Sequence, residues 1–310
     1  MNERFCTVGD VELCYETFGD PDDPALLLIM GLGTQMIGWH HELCGAFARR
    51  GFHVIRFDNR DIGRSTHFDS ARPPTRSELL TRRFRRLAYT LSDMADDATG
   101  LLDQLGIGFA HVVGASMGGM IAQTAAARHP ERVLSLVSIM SNTGSRWSGQ
   151  PAPRVYPFFL RRPATDRDSQ LDRVVSLFRL VGSEALGFDE EELRSMARLS
   201  IERGGSGVAG TARQLAAILA AGNRTATLRR IEVPTLVIHG TADRLVRPSG
   251  GRATARAIPG ARLMMIEGMG HDLPRAAWSR LVGAIADHAA AARHGPSGAA
   301  SRAPASEAPR

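Results

Sequence analysis

The sequence predicts an α/β fold in which a mostly parallel sheet is flanked by helices and carries an inserted helical segment. Short apolar runs alternate with helical patterns along most of the 310-residue chain, and this alternation is typical of parallel sheets covered on both faces. A Gly-x-Ser-x-Gly motif joins one apolar run to a helix at residues 114–118. Residues 143–225 lack buried-strand runs and contain helical patterns between Pro and Gly clusters, which predicts an insertion.

The predicted strands begin with a hairpin, because two short alternating runs flank the dipeptide Gly9-Asp10. The later runs are continuous and apolar, as expected for strands that are covered on both faces. In chain order, the predicted strands are residues 6–8, 11–16, 25–30, 53–58, 110–113, 133–139, 235–239 and 262–266.

Between these strands the apolar spacing and the Ala-rich composition predict helices. They cover residues 39–50, 94–105, 120–127, 171–181, 190–202, 212–221 and 276–291. We therefore predict a core of residues 1–142 and 226–292, a helical cap of residues 143–225, and a disordered tail of residues 293–310 that is rich in Ala, Ser, Pro and Gly. Ligands bind at the carboxyl ends of strands in open parallel sheets, so the cap is expected to roof the site.

Composition narrows the class of protein. No stretch is apolar enough to cross a bilayer, and the N-terminus lacks a charged-then-apolar leader, so we expect a cytoplasmic protein that makes no membrane contact. The three cysteines are too few and too scattered for a disulfide framework or a zinc site. The sequence contains no lysine, and its sparse aromatic residues do not interleave with the arginines, so we expect no nucleic-acid partner.

The net charge is +6, and the densest basic run covers residues 76–86 and includes Arg82. Its pattern predicts an amphipathic helix with Leu79, Leu80, Phe84 and Leu87 opposite the arginines. A solvated face is the favoured interpretation, and contact with an anionic substrate or partner is the alternative.

Three motifs at three predicted strand ends carry the chemistry. Ser116 lies between glycines where a strand meets a helix, which is typical of a nucleophile elbow. A serine hydroxyl needs a base, usually a histidine oriented by a carboxylate. Asp243 and His271 follow the two last predicted strands, in the chain order Ser, Asp, His that this arrangement uses. His239 is a second candidate base, and Asp272 adjoins His271 but is expected to point away from it.

The developing oxyanion needs preorganised donors. The backbone N–H of Met117, directly after the nucleophile, is one candidate. The glycine-rich loop after the strand at 25–30 should supply the second, with Leu32 as our choice and Gly33 as the alternative. The polar loop at 58–65 is predicted to be structural, held by Asp58 and Arg60.

On these motifs the chain resembles the α/β-hydrolase fold superfamily from about residue 4 to residue 291. The stretches at 28–36 and 56–61 are similar to bacterial carboxylesterases, including the aclacinomycin methylesterase group, which removes methyl esters from aromatic polyketides. Many relatives carry His-Gly where this chain has Met30-Gly31. The resemblance implies a roofed serine hydrolase that needs no cofactor, in the α/β-hydrolase fold, with a mostly parallel sheet flanked by helices and an inserted helical cap.

We therefore expect a small-molecule ester as substrate, cleaved through an acyl-enzyme formed on Ser116. Apolar residues of the insertion, such as Tyr156, Phe158 and Phe159, could line a pocket for a hydrophobic metabolite or form the insertion's own core. Perhydrolase or haloperoxidase chemistry and C–C bond hydrolysis use the same triad and stay open. The alternative outside the enzymes is a non-catalytic protein that binds a ligand in the same pocket. The oligomeric state stays open.

Overall fold

The computed structural model describes residues 2–160, 166–204 and 207–293. The predicted disordered tail lies, apart from its first residue, outside the described residues. Within those ranges, no helix combines the length and the apolar character that crossing a membrane requires.

In the described part of the chain, one eight-stranded sheet has the strand order β1-β2-β4-β3-β5-β6-β7-β8. The strands are β1 (Arg4–Val8), β2 (Val11–Phe18), β3 (Ala25–Ile29), β4 (His53–Phe57), β5 (Ala110–Ala115), β6 (Val133–Ile139), β7 (Thr235–Gly240) and β8 (Arg262–Ile266). β2 pairs antiparallel with both β1 and β4, and the pairs from β4 to β8 are parallel. The predicted mostly parallel sheet is confirmed.

Helices cover both faces of this sheet. They are α1 (His41–Ala48), α2 (Arg76–Thr81), α3 (Leu91–Gln104), α4 (Met117–Arg128), α5 (Tyr156–Leu160), α6 (Arg167–Val181), α7 (Glu190–Glu202), α8 (Val208–Ala221), α9 (Thr225–Leu228), α10 (Ser249–Ala257) and α11 (Trp278–Arg293). The start of α3 lies earlier than predicted, because Thr90 and Asp93 form a capping box there.

The side chains of the central strand β3 pack into two different apolar clusters, one on each face of the sheet. Leu27 and Ile29 pack into the apolar cluster shared with α3 and α4. Leu26 and Leu28 point the opposite way and pack with residues of α1 and α11. Successive strand side chains alternate between faces, so a strand covered on both sides has to be apolar throughout.

The basic segment differs from its prediction. Helix α2 ends at Thr81, and Arg82 adopts a left-handed φ of 56°. Glu78 explains this, because its Oε1 accepts hydrogen bonds from the side chain of Arg72 and from the Arg85 backbone N–H, which turns the chain back on itself. Leu80 is 82% exposed. The expectation of one amphipathic helix across residues 76–86 is therefore wrong.

The described part of the insertion between β6 and β7, residues 143–225, contains helices and no strand. It is joined to the core by buried ion pairs with the loop after β4. Arg213 of α8 binds Asp61 in a bidentate pair at 2.7 and 2.8 Å, and Arg203, just after α7, binds Asp58 at 2.9 Å. Burial acts to raise the pKa of Asp61, but hydrogen bonds from Arg213 and Tyr89 outweigh it and hold that pKa below its usual value.

Candidate active site

Ser116 lies at a sharp turn between β5 and α4. Its φ of 56° and ψ of −117° are unusual for a residue with a side chain. The Ser116 N–H donates to the Ile139 carbonyl at 2.9 Å, which ties the turn to the neighbouring strand β6. The predicted strand–turn–helix context of the motif is therefore present in the structure.

The glycines of the motif are needed because backbone atoms pack directly against them. A Cβ added to Gly114 would lie 2.1 Å from the Gly118 carbonyl oxygen. A Cβ added to Gly118 would lie 2.1 Å from the Ile29 carbonyl oxygen of β3. Any side chain at either position would force the backbone apart, and the turn that exposes the Ser116 hydroxyl would be lost.

The three residues predicted from separate strand ends meet at this turn. His271 Nε2 lies 3.0 Å from Ser116 Oγ, and His271 Nδ1 lies 2.8 Å from Asp243 Oδ2. An ionised carboxylate only accepts hydrogen bonds, so Nδ1 carries the proton and Nε2 is free to accept from the Ser116 hydroxyl. This is the geometry that general-base activation of a serine requires.

Asp243 is buried, and its own loop holds it in place. Its Oδ1 accepts the backbone N–H groups of Leu245 and Val246, both at 2.9 Å. Burial acts to raise the pKa of Asp243, but the facing histidines, chiefly His271, prevail and lower it to about 2. Asp243 is therefore ionised at neutral pH and can stabilise a positive charge on His271.

The loop that carries His271 is held by the insertion. The His271 N–H donates to the Val181 carbonyl at 2.7 Å, and the Gly270 N–H donates to Ser183 Oγ at 2.7 Å. The Ser183 hydroxyl also bonds to the Asp272 carboxylate. The Asp272 carboxylate is bonded to Ser183, while Asp243 bonds the His271 ring, and burial raises the pKa of Asp272 despite the hydrogen bonds from Ser183.

His239 is the other candidate base, and the structure gives it a different place. It is buried, its Nε2 lies 2.7 Å from the Val246 carbonyl, and that nitrogen is 3.4 Å from Asp243 Oδ2. A carbonyl only accepts, so His239 Nε2 is protonated and donates. His239 therefore lies beside the Asp243 carboxylate, and His271 is the histidine that contacts Ser116.

The glycine-rich loop after β3 passes directly beside Ser116. A Cβ added to Gly31 would lie 3.1 Å from Ser116 Cβ. Within the described part of the chain, the N–H groups of Leu32 and Met117 have no hydrogen-bond partner, as the predicted oxyanion donors require. The N–H of Gly33 instead donates to Gln214 Oε1 at 2.9 Å. Gly33 is therefore not free to serve as the alternative donor.

The loop at 58–65 is held by buried contacts of Asp58 and Arg60, as predicted. Asp58 accepts the Met36 N–H at 2.7 Å, and Asn59 Nδ2 donates to the Met30 carbonyl at 2.9 Å. Arg60 forms a buried pair with Asp97 at 2.6 Å. The contacts of Asp58 and Asn59 therefore hold the two ends of the segment from Met30 to Met36, which contains the Gly31 loop.

Sequence reasoning missed the supports that come from the insertion. Gln214 reaches the Gly31 loop from α8, and Ser183 reaches the His271 loop from the turn after α6. Neither residue stands in a motif. Across residues 2–160, 166–204 and 207–293, no cluster of three or more His, Cys, Asp or Glu side chains is placed to hold a metal ion. The expected independence from cofactors stays a prediction.

Residues 24–274 match the alpha/beta hydrolase fold family. Rhodomycin D methylesterase DauP of Streptomyces sp. (strain C5) is 32% identical over 94% of this chain and 99% of its own length. 3-Oxoadipate enol-lactonase 2 of Acinetobacter baylyi is 28% identical over 84% of this chain and 87% of its own. The chain therefore belongs to the alpha/beta hydrolase fold family.

Solved structures agree on the architecture. The crystal structure of the enol-lactonase from Burkholderia xenovorans LB400 superimposes with a TM-score of 0.72 at 24% identity, covering 92% of this chain and 99% of the other. At this identity the likeness establishes the fold. The family match and the methylesterase relative together support an esterase.

Proposed function

We propose that this protein is a serine hydrolase that cleaves a carboxylic ester through an acyl-enzyme, with Ser116, His271 and Asp243 as its catalytic triad. The observation that carries the proposal is the unbroken line of hydrogen bonds from Ser116 Oγ through His271 to Asp243, at 3.0 and 2.8 Å. Three side chains far apart in the sequence do not reach this arrangement through local structure.

In the first half-reaction, Ser116 Oγ attacks the ester carbonyl carbon while His271 Nε2 takes its proton. The carbonyl oxygen becomes an oxyanion and accepts hydrogen bonds from the N–H groups of Leu32 and Met117. Asp243 stabilises the imidazolium through Nδ1–H. When the tetrahedral intermediate collapses, the C–O bond to the alcohol breaks, and His271 gives its proton to the departing alkoxide.

In the second half-reaction, water takes the place of the alcohol. His271 removes a proton from the water as its oxygen attacks the acyl carbon, and the same two N–H groups stabilise the second oxyanion. Collapse breaks the bond to Ser116 Oγ, and His271 returns the proton to that oxygen. The products are the free acid and the regenerated hydroxyl, so one water is consumed per ester cleaved.

The substrate we propose is a methyl ester of a hydrophobic, polyketide-like metabolite, cleaved in the cytoplasm as part of secondary metabolism. The methylesterase relative, similar across almost the whole of both chains, supports the methyl leaving group. The aromatic side chains of Tyr156 and Phe159 on α5 are 48% and 51% exposed, which supports an insertion able to contact an apolar acyl group. The small thiol content, with Cys14 and Cys44 buried and free, suits a reducing compartment.

The test is turnover of methyl esters of aromatic polycyclic acids by the purified protein, with methanol release and free acid measured together. We expect equal amounts of both products, and we expect Ser116→Ala to lower kcat at least ~10⁴-fold. Larger apolar acyl groups should give higher kcat/KM than acetate esters.

Ser138→Ala is the matched control, since Ser138 is a buried serine on the adjacent strand whose hydroxyl bonds Gln123. It should keep wild-type kcat. Retained turnover in Ser116→Ala would overturn the proposal. Peroxide-dependent bromination without ester cleavage would instead select perhydrolase chemistry at the same triad.

A further inference from the structure

Gln214 connects the insertion to the loop beside Ser116. It lies on α8 and is fully buried. Its Oε1 accepts the Gly33 N–H at 2.9 Å, and its Nε2 donates to the Arg60 carbonyl at 2.8 Å. A backbone N–H only donates and a carbonyl only accepts, so the two partners fix the orientation of the amide. Both polar atoms of the Gln214 side chain are thus hydrogen-bonded to backbone groups of the core.

Gly33 is the third residue of a tight turn closed by the Thr34 N–H and the Gly31 carbonyl at 3.3 Å, and its φ is 64°. In such turns the central peptide, here between Leu32 and Gly33, has two orientations that distinguish the common turn types. Gln214 holds the N–H of this peptide. The peptide therefore cannot flip without leaving a buried amide oxygen unpaired.

The same helix restrains the turn by contact. A Cβ added to Gly33 would lie 3.1 Å from Thr211 Cγ2 and Oγ1, so α8 packs directly on the turn. On its other side, the turn begins at Gly31, which lies against Ser116. The residue between these two anchors is Leu32, whose N–H is our proposed oxyanion donor.

An oxyanion donor acts over a narrow range, with its nitrogen about 2.7–3.1 Å from the developing charge. The Leu32 N–H belongs to a turn that is flexible by composition, since glycines precede and follow it. A fixed partner at the Gly33 N–H, in the peptide directly after the one that carries the Leu32 N–H, restrains the turn before substrate arrives. It also occupies the Gly33 N–H, which leaves the Leu32 N–H as the proposed donor of this turn.

We propose that Gln214 is a positioning residue that preorganises the oxyanion hole from the insertion. This inference rests on the proposed function. Gln214 acts through the Leu32–Gly33 peptide and does not itself contact the reacting atoms. The insertion is then part of the catalytic apparatus as well as a cover for the substrate.

The test compares Gln214→Met with wild type, because methionine keeps the length and volume of the side chain and loses its hydrogen bonds. We expect kcat to fall ~10- to 100-fold with KM unchanged, since a displaced donor costs less than a deleted one. The affinity for a trifluoromethyl ketone, whose bound adduct places an oxyanion in the hole, should fall by the same factor.

Gln35→Met is the matched control. Gln35 is also buried and also bridges core and insertion, since it donates to the Ser200 carbonyl at 2.8 Å and accepts from Arg203. Among the described residues, its side chain bonds no atom of the Gly31–Thr34 turn. It should change kcat and ketone affinity by less than ~3-fold, within the scatter of a purely structural effect.

If Gln214→Met does not fold, a second variant, Gln214→Glu, tests the same inference. Gln214→Glu keeps an acceptor for Gly33 and regains a donor for the Arg60 carbonyl when the introduced carboxyl is protonated. The ratio of its kcat to that of wild type should therefore rise as pH falls. A ratio independent of pH, or an unchanged ketone affinity in a folded Gln214→Met, would overturn the inference. Wild-type protein that neither cleaves esters nor binds the ketone would overturn the proposed function itself.

Discussion

The turn that carries Ser116 and the loop that carries His271 are held in different ways. The Ser116 turn is fixed by the sheet, through its N–H on Ile139 and through glycines packed on the backbone of neighbouring elements. The His271 loop takes its two central backbone bonds from the insertion, at Val181 and Ser183. The nucleophile thus depends on the core, while the loop of the base depends in part on the insertion.

This difference implies that substitutions in the two regions should change stability and kcat in different proportions. A change at the Ser116 turn disturbs the sheet, so stability and activity should fall together. A change at the contact between insertion and His271 loop should lower kcat with little loss of stability, because few core contacts are involved. Gly114→Ala and Ser183→Ala below test the two patterns, and Asp243→Asn tests the charge that orients the base.

The largest effect is expected from Gly114→Ala. Its new Cβ would lie 2.1 Å from the Gly118 carbonyl oxygen, and that backbone atom cannot rotate away. We expect a loss of about 3 kcal/mol in the free energy of unfolding, with ester hydrolysis falling to background. Urea unfolding followed by circular dichroism measures the stability.

Gly283→Ala is the matched control on α11, where a Cβ meets no atom within 4 Å. The same chemical change there should leave activity unaltered and stabilise the protein by roughly 0.5–1 kcal/mol, through helix propensity. Equal destabilisation in both variants would show that the Ser116 turn is not specially constrained.

An intermediate effect is expected from the charge of Asp243, whose pKa is lowered to about 2 in the folded protein. A lowered folded pKa means that the unfolded chain binds the proton more tightly. The stabilisation is therefore complete above the ordinary carboxyl pKa of about 4 and is lost as pH falls toward 2. The ionised Asp243 carboxylate contributes on the order of 2 kcal/mol to the free energy of unfolding.

Comparison with Asp243→Asn isolates this contribution. The stability difference between wild type and variant should be constant from pH 5 to pH 7 and should shrink below about pH 4. Urea unfolding across this range is the measurement. A difference that grows on acidification would mean that the carboxyl pKa is raised, not lowered, by its surroundings.

The smallest effect is expected from Ser183→Ala, which removes the hydroxyl that accepts the Gly270 N–H at 2.7 Å and bonds Asp272. The His271 loop then loses one of its insertion contacts. We expect kcat to fall by roughly 10-fold, with a change of only about 1 kcal/mol in the free energy of unfolding.

Ser249→Ala is the matched control, because it tests whether removing any serine hydroxyl that accepts a backbone N–H lowers kcat. Ser249 Oγ also accepts a backbone N–H from the insertion, that of Gly149 at 3.0 Å, but it lies outside the site. Its loss should leave kcat within ~2-fold of wild type. If both variants lowered kcat equally, the special role of the His271 loop would be refuted.

The sequence was most predictive where local signals decide structure. The bounds of β6 and β8 agree with the apolar runs at 133–139 and 262–266. Helix α7 begins where Asp189 caps three glutamates, a local electrostatic signal. The meeting of Ser116, Asp243 and His271 was predictable because parallel strands bring their carboxyl ends to one edge.

Features fixed by distant contacts could not be predicted. Helix α10 contains Gly250 and Gly251, which disfavour a helix, but Gly251 packs on the His239 ring, where a side chain would not fit. Gln214 and Ser183 bond partners 181 and 87 residues away. Nothing local marks either residue, since their roles arise only when the insertion meets the core.

The most direct test of the account is to map the site of fluorophosphonate labelling by mass spectrometry, in wild type and in His271→Ala. We predict a single adduct on Ser116 Oγ, formed at least ~10³-fold more slowly when His271 is removed. An adduct on another residue, or a labelling rate independent of His271, would contradict the claim that these residues form one catalytic unit.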